Sequence, residues 1–226
     1  MVPDRGVFIV ADGMGGHAAG EVASEMAVRI IARELGDVSR TTNAEAAGLI
    51  RHSIIEANSA IFQRTLSEQD KRGMGTTATA MVVVGDKYLI GQVGDSRAYV
   101  LRDGTLLQLT KDHSYVQEQV DAGYLSPEEA RTHPYSNVIT RCVGANVDVS
   151  PDVYAGTLHV DDVYLLASDG LTGMIEDDDL MDMMRKLREP QQLADELVDE
   201  ANRRGGLDNV TVIVIRVDGN GAPDGK

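Results

Sequence analysis

TTATAMVVVGDKYLIGQVGDSRAYVLRDGTLLQL, residues 76–109, is a run of four β segments punctuated by turn residues. The segments Thr76–Val84, Lys87–Val93, Arg97–Arg102 and Thr105–Leu109 are rich in Val, Ile, Leu, Tyr and Thr, side chains that fit a pleated, half-buried surface. Gly85-Asp86 and Asp103-Gly104 each leave two residues between segments, and Asp-Gly is a strong hairpin signal. The four segments therefore read as antiparallel neighbours.

On the N-terminal side, residues 6–12 read as a strand that ends in the turn Gly13-Met14-Gly15-Gly16. A helix follows from about Gly20 to Leu35, with Val22, Met26, Ile30 and Ile31 near helical spacing. A second spans Ala44 to Leu66, with Asn43 as its N-cap. On the C-terminal side come strands Asp152–Leu158 and Val163–Ala167, helices Asp177–Leu187 and Pro190–Arg203, and a strand over Asn209–Val217. Paired helices and hairpin-linked strands argue for segregated layers rather than alternating βαβ units. The expectation is an α+β fold, two antiparallel sheets packed together with helix pairs outside. One domain covers 1–217, and the Gly-, Asn-, Pro- and Asp-bearing tail 218–226 is expected to be disordered. Residues 110–150 differ: polar, with short helices near Tyr115–Ala122 and Pro127–Thr132. They read as an excursion over the surface of the kind that covers a site. Tyr115, Tyr124 and Tyr135 in it either face a protein partner or pack it onto the body.

Composition narrows the function. A net charge of −15 excludes a nucleic-acid partner, which needs clustered Lys and Arg. No apolar run approaches the roughly 20 residues of a membrane span, and no charged-then-apolar leader begins the chain. The one cysteine, Cys142, forms no internal disulfide, so a reduced, cytoplasmic setting is the simplest reading. It has no Cys-His constellation around it either, which argues against a nucleophile.

The chemistry sits at the strand ends. Asp12 closes Val7–Ala11 and Asp169 follows Val163–Ala167 by one residue. Asp95 follows Tyr88–Val93 and Gly94, and Asp208 lies just before Val210–Ile215. A carboxylate at the lip of an apolar strand is costly unless solvated or paired with a cation. Singly, an Asp before Gly is more often a turn former. Together, converging strand ends would make an oxygen-ligand cluster suited to Mg²⁺ or Mn²⁺. Asp95 has two equal readings, as it either joins that cluster or pairs with Arg97. Residues 13–18 formally fit a dinucleotide fingerprint, but Asp12 would face the pyrophosphate and no parallel βαβ unit follows. His17 is a general acid, a ligand or a loop residue, the last being favoured; His113 and His133 read as surface residues. The acids Glu176–Asp179 open a helix, where the macrodipole suits them.

Val10–His17, Gly75-Thr76-Thr77, Val93–Arg97, Thr110–Ser114, Ala167–Gly170 and Asp208–Thr211 stand in an order that resembles the bacterial type 2C metal-dependent protein phosphatases, over residues 6–217. The resemblance implies a four-layer α-β-β-α sandwich and hydrolysis of phosphoserine and phosphothreonine in proteins by a metal-activated water. It implies two or three Mn²⁺ or Mg²⁺ ions, with Asp12, Asp169 and Asp208 as the catalytic set. Asp12 would bridge two ions and the Gly13 carbonyl would bind one of them. Asp169 and Asp208 would complete the other, and Asp95 with Asp169 would hold a third. Residues 110–150 match the family's flap. The partners implied are phosphorylated proteins and an opposing Ser/Thr kinase.

Family members carry a further segment before the Val-Ala-Asp-Gly strand, with an arginine for the substrate phosphate and an acid for the second ion. Here six residues precede Val7, and Arg5 lies seven residues from Asp12, roughly 23 Å of strand; Asp4 is as distant. The expectations are an exposed sheet edge, a weakly held second ion and poor phosphate affinity. The rival reading is a phosphatase-like binding module with lost activity; the intact Asp12, Asp169 and Asp208 favour the enzyme.

Overall fold

The computed structural model describes residues 5–186 and 189–219, except for the side chains of residues 17 and 18. In chain order the elements begin with β1 (Val7–Val10), β2 (Gly13–Met14), α1 (His17–Glu34), α2 (Asn43–Ser67), β3 (Gly75–Thr76) and β4 (Ala78–Val84). Then come β5 (Lys87–Val93), β6 (Arg97–Arg102), β7 (Thr105–Gln108), α3 (Tyr115–Asp121), α4 (Pro127–Arg131) and β8 (Asp152–Thr157). The chain continues through β9 (Val163–Ala167), α5 (Asp169–Thr172), α6 (Asp177–Lys186), α7 (Pro190–Arg203) and β10 (Val212–Arg216). Asp4, Leu187 and tail residues 220–226 fall outside the described residues.

Two antiparallel four-stranded sheets, ordered β1-β4-β5-β8 and β10-β9-β6-β7, carry the fold. The hairpins β4–β5 and β6–β7 form as read. The second turns on Asp103 and Gly104, both with positive φ, the twist a tight hairpin needs. The expectation that all four segments are neighbours fails between β5 and β6. There Gly94-Asp95-Ser96 carries the chain from one sheet to the other, with Gly94 at φ 102°. The first segment is also broken at Thr77, whose N–H bonds the Asp12 carbonyl instead of a strand partner.

Period-2 alternation divides the strand residues among three apolar layers. Val7 and Ile9 of β1 join Val82 and Leu89 under α1 and α2, against Ala23, Ala27, Ile31, Ile50 and Ile54. Phe8 and Val10 point the other way, into a layer between the sheets with Met81, Ile90, Val100, Tyr164 and Leu166. Leu101, Val163 and Leu165 face Leu180, Met184, Leu193 and Leu197 of α6 and α7. Because both faces of each sheet are covered, antiparallel strands here read as continuous apolar runs, a pattern usual for parallel sheets.

Some boundaries differ from expectation for local reasons. α1 begins at His17, three residues before Gly20. The N-cap of α2 is Thr42, not Asn43, because Glu45 closes a capping box with it. β10 begins at Val212, leaving Asn209–Thr211 outside the strand. β1 has β4 as its only sheet neighbour among the described residues, yet all four of its side chains are buried. Residues 110–150 are tied at a neck. Tyr115 N–H donates to the Val138 carbonyl and Thr140 N–H to the His113 carbonyl, both at 2.8 Å, and Thr76 pairs with Val143. Among the described residues no helix is long and apolar enough to cross a membrane.

Candidate metal centre

Asp12 leaves β1, Gly13 opens β2, Asp95 sits where the chain changes sheets, Asp169 begins α5, and Asp208 precedes β10. All five line one cavity of about 200 Å³ at one end of the sandwich, together with Thr77 and, from the insert, Asn137 and Ile139. Nothing in the sequence pattern marked Asn137 or Ile139; only the returning insert brings them there.

The glycines after Asp12 and Asp169 do more than turn the chain. Neither has positive φ. A Cβ on Gly13 would lie 2.0 Å from the Gly20 carbonyl oxygen of α1, and one on Gly170 would lie 2.2 Å from that of Asn209. Each therefore lets two backbones meet behind a carboxylate. Asp12 is pinned by the Gly75-Thr76-Thr77 segment. Its N–H donates to Thr77 Oγ1 at 2.9 Å, and its carbonyl accepts from Thr77 N–H and from Thr76 Oγ1, both at 2.8 Å. Thr77 Oγ1 in turn bonds Ser96 Oγ at 2.8 Å, crossing from one sheet to the other. Ser168 joins the other two acids: its Oγ accepts from Thr211 N–H at 3.0 Å and donates to the Asn209 carbonyl at 3.3 Å.

Arg97 does not pair with Asp95. Its guanidinium forks onto Asp112, with Nε at 3.0 Å from both oxygens and Nη2 at 2.8 Å from Oδ2. That leaves Asp95 in the carboxylate group. Nor is His113 a surface residue: it is 7% exposed. Its Nδ1 accepts from Gly94 N–H at 3.0 Å, its own N–H donates to the Gly94 carbonyl at 2.9 Å, and Nε2 contacts Asp152 at 3.0 Å. With Gln92 Nε2 donating to the carbonyls of Gly94 and Ser96, this fixes the backbone on both sides of Asp95. Burial, with the nearby Arg141 guanidinium, lowers the His113 pKa. His133 is half-buried, its ring against Tyr115 and Tyr135, and all three tyrosines of the insert, Tyr115, Tyr124 and Tyr135, are exposed. The His17 side chain lies outside the described residues.

Desolvation, then the charges and hydrogen bonding of Asp169 and the charges of Asp208 and Asp95, push the Asp12 carboxyl up to about 7. Burial first, then Asp169 and Asp112, do the same to Asp95. Asp169 Oδ1 is buried without a hydrogen-bond partner among the described residues, a cost no native site bears without an explanation. An oxygen-rich, mutually repelling and partly orphaned donor set fits hard divalent cations. Among the described residues no three Asp, Glu, His or Cys side chains are grouped closely enough to hold an ion by themselves.

Two acids held near 7 in the protein stripped of ions, against 3.8 ordinarily, couple ion binding to pH. Their contribution favours the stripped fold at low pH and penalises it increasingly as pH rises from about 4 toward 7. Bound cations must displace the protons. Calorimetry of Mn²⁺ binding at pH 6.5, in buffers of different ionisation enthalpy, should show net proton release that falls by pH 8, with affinity weakening as pH drops. Binding with no proton exchange across that range would refute the assignment of these two acids.

The chain is similar to known protein phosphatases over most of its length. The family profile described as protein phosphatase 2C matches residues 2–200. A serine/threonine phosphatase, stp, of Listeria welshimeri is 40% identical over 210 residues, 92% of this chain and 83% of that protein. The crystal structure of the serine/threonine phosphatase PstP/Ppp of Mycobacterium tuberculosis superposes with a TM-score of 0.88 at 38% identity, covering 94% of this chain and 88% of the other. The PstP catalytic domain in complex with two manganese ions gives 0.83 at 38% identity, over 92% and 86% of the two chains.

Proposed function

Since the chain belongs to the protein phosphatase 2C family and is a metal-dependent serine/threonine protein phosphatase that uses two Mn²⁺ or Mg²⁺ ions, we propose that Asp12, the Gly13 carbonyl, Asp169 and Asp208 hold those ions, and that Asp95 with Asp169 holds a third. The observation that carries this reading is the convergence of all five residues on one cavity, with Asp169 Oδ1 buried and unpartnered. When bound, such ions acidify an attacking water and neutralise charge on the phosphoryl oxygens.

The chain's own part is to keep that donor set in place. Thr76 and Thr77 hold both backbone polar groups of Asp12, and the Ser168 hydroxyl keeps the segments of Asp169 and Asp208 together. A donor set fixed in advance costs no reorganisation during the reaction. No covalent phosphoenzyme is required. Cys142 is half-buried, its thiol pKa raised by burial, and it borders neither the metal cavity nor the larger cavity beside it.

The catalytic domain then spans residues 1–217 with the insert at about 110–150. Its substrates are phosphoproteins made by an opposing Ser/Thr kinase, and its setting is the cytoplasm. Hydrolysis of p-nitrophenyl phosphate and of a phosphothreonine peptide should require Mn²⁺, stop in EDTA and return on adding Mn²⁺. Turnover that survives EDTA would refute the reading.

A further inference from the structure

A second cavity, of about 810 Å³, opens beside the metal centre and shares Asp95, Asn137, Asp169 and Asp208 with it. One wall is the insert, from Ser114 to Asn137; the other runs from Asp169 to Asp178. A phosphoryl group needs only a small part of this space, whose volume is that of a pocket for a ligand of drug size. An enzyme acting on polypeptides must also seat the residues on either side of the phosphorylated one.

The walls are acidic in an asymmetric way. Two cations line the cavity, and both are engaged: Arg97 by Asp112, and Arg131 by Glu176 at 4.0 Å. Asp177 accepts the Tyr99 hydroxyl at 3.3 Å. Glu128 on the insert and Asp178 on the opposite wall are exposed and have no ion-pair partner among the described residues. Neither lines the metal cavity, so their charge is additional to that of the metal centre.

Resting on the phosphatase reading, we propose that this cavity seats the polypeptide flanking the phosphorylated residue. Glu128 and Asp178 are then specificity-determining residues that select substrates with lysine or arginine near that residue. Exposed ion pairs are individually weak, so two of them together give a preference of roughly three- to tenfold. The preference fades as salt screens beyond a Debye length of about 8 Å.

The test compares kcat/KM of the full chain with Mn²⁺ on three phosphothreonine peptides of equal length, flanked by arginine, alanine or glutamate. Each is run with wild type and with Glu128→Gln/Asp178→Asn, and p-nitrophenyl phosphate serves as the small-substrate control. The expected result is an arginine preference in wild type that weakens with salt and collapses toward unity in the double variant, with p-nitrophenyl phosphate turnover unchanged. The single variants Glu128→Gln and Asp178→Asn should each lose part of it, which keeps the test open should the double variant fold poorly. Equal rates on all three peptides in wild type, or an undiminished preference in folded variants, would overturn the proposal while leaving the phosphatase reading intact. Failure of wild type on p-nitrophenyl phosphate would overturn both.

Discussion

Asp169→Asn is expected to lower Mn²⁺-dependent phosphate-ester hydrolysis by roughly 10³-fold while raising the melting temperature of the protein stripped of ions. Asparagine keeps the shape of the side chain and removes the charge. Ions contribute several kcal/mol to stabilising phosphoryl charge, and about 1.4 kcal/mol is a factor of ten in rate. The opposite effect on stability follows from the crowding of acids. Asp169 is the largest of the neighbouring charges that hold the Asp12 carboxyl up near 7, and it also raises Asp95. Relieving that repulsion is worth a few degrees, at about 2–4 °C per kcal/mol for a chain of this size. Saturating Mn²⁺ should invert the order, because cations stabilise the protein that binds them more tightly. Activity within tenfold of wild type, or a stripped variant that melts lower, would remove Asp169 from the metal centre.

Gly170→Ala should cost about 3 kcal/mol or more and weaken Mn²⁺ binding together with stability. The added Cβ would stand 2.2 Å from the Asn209 carbonyl oxygen and 2.9 Å from its carbon, backbone atoms with no rotamer in which to escape. Overpacking of this kind is costly, and here the displaced backbone adjoins Asp208. Gly48→Ala, in the interior of α2 with nothing within 4 Å of the new Cβ, is the control. It should stabilise by about 0.5–1 kcal/mol through helix propensity. Paired melting curves with and without Mn²⁺ decide the matter; equal shifts for the two substitutions would show that Gly170 is no point of close approach.

Asp12 and Asp169 could be singled out in the chain because each closes a fully buried strand, where an acid needs an explanation; Asp208 stands further from β10, of which only Ile213 is buried. The four-layer arrangement followed from hairpins and helix pairs, which are local signals. What escaped was non-local. His113 looked like a surface residue of a polar insert, yet its partners Gly94, Arg141 and Asp152 lie 19, 28 and 39 positions away. Arg97 has an acid two residues before it and chose another 15 residues on. The change of sheet at Gly94–Ser96 was hidden because a three-residue link looks the same whether its strands pair or part. Thr42 had a signal that was missed, as Glu45 three residues later marks a capping box.

The neck of the insert bears on how such a protein can diversify. Residues 113–115 and 138–140 are hydrogen-bonded to one another at the base, so the intervening chain is closed independently of its content. Doubling a closed loop costs only about 0.6 kcal/mol in entropy. The stretch between can therefore be lengthened, shortened or rewritten, within the limit that Asn137 and Ile139 still reach the metal cavity, at little expense to the rest of the molecule. Glu128, proposed above to select substrates, lies within that stretch, so such a preference can change without disturbing the neck or the carboxylates of the metal cavity.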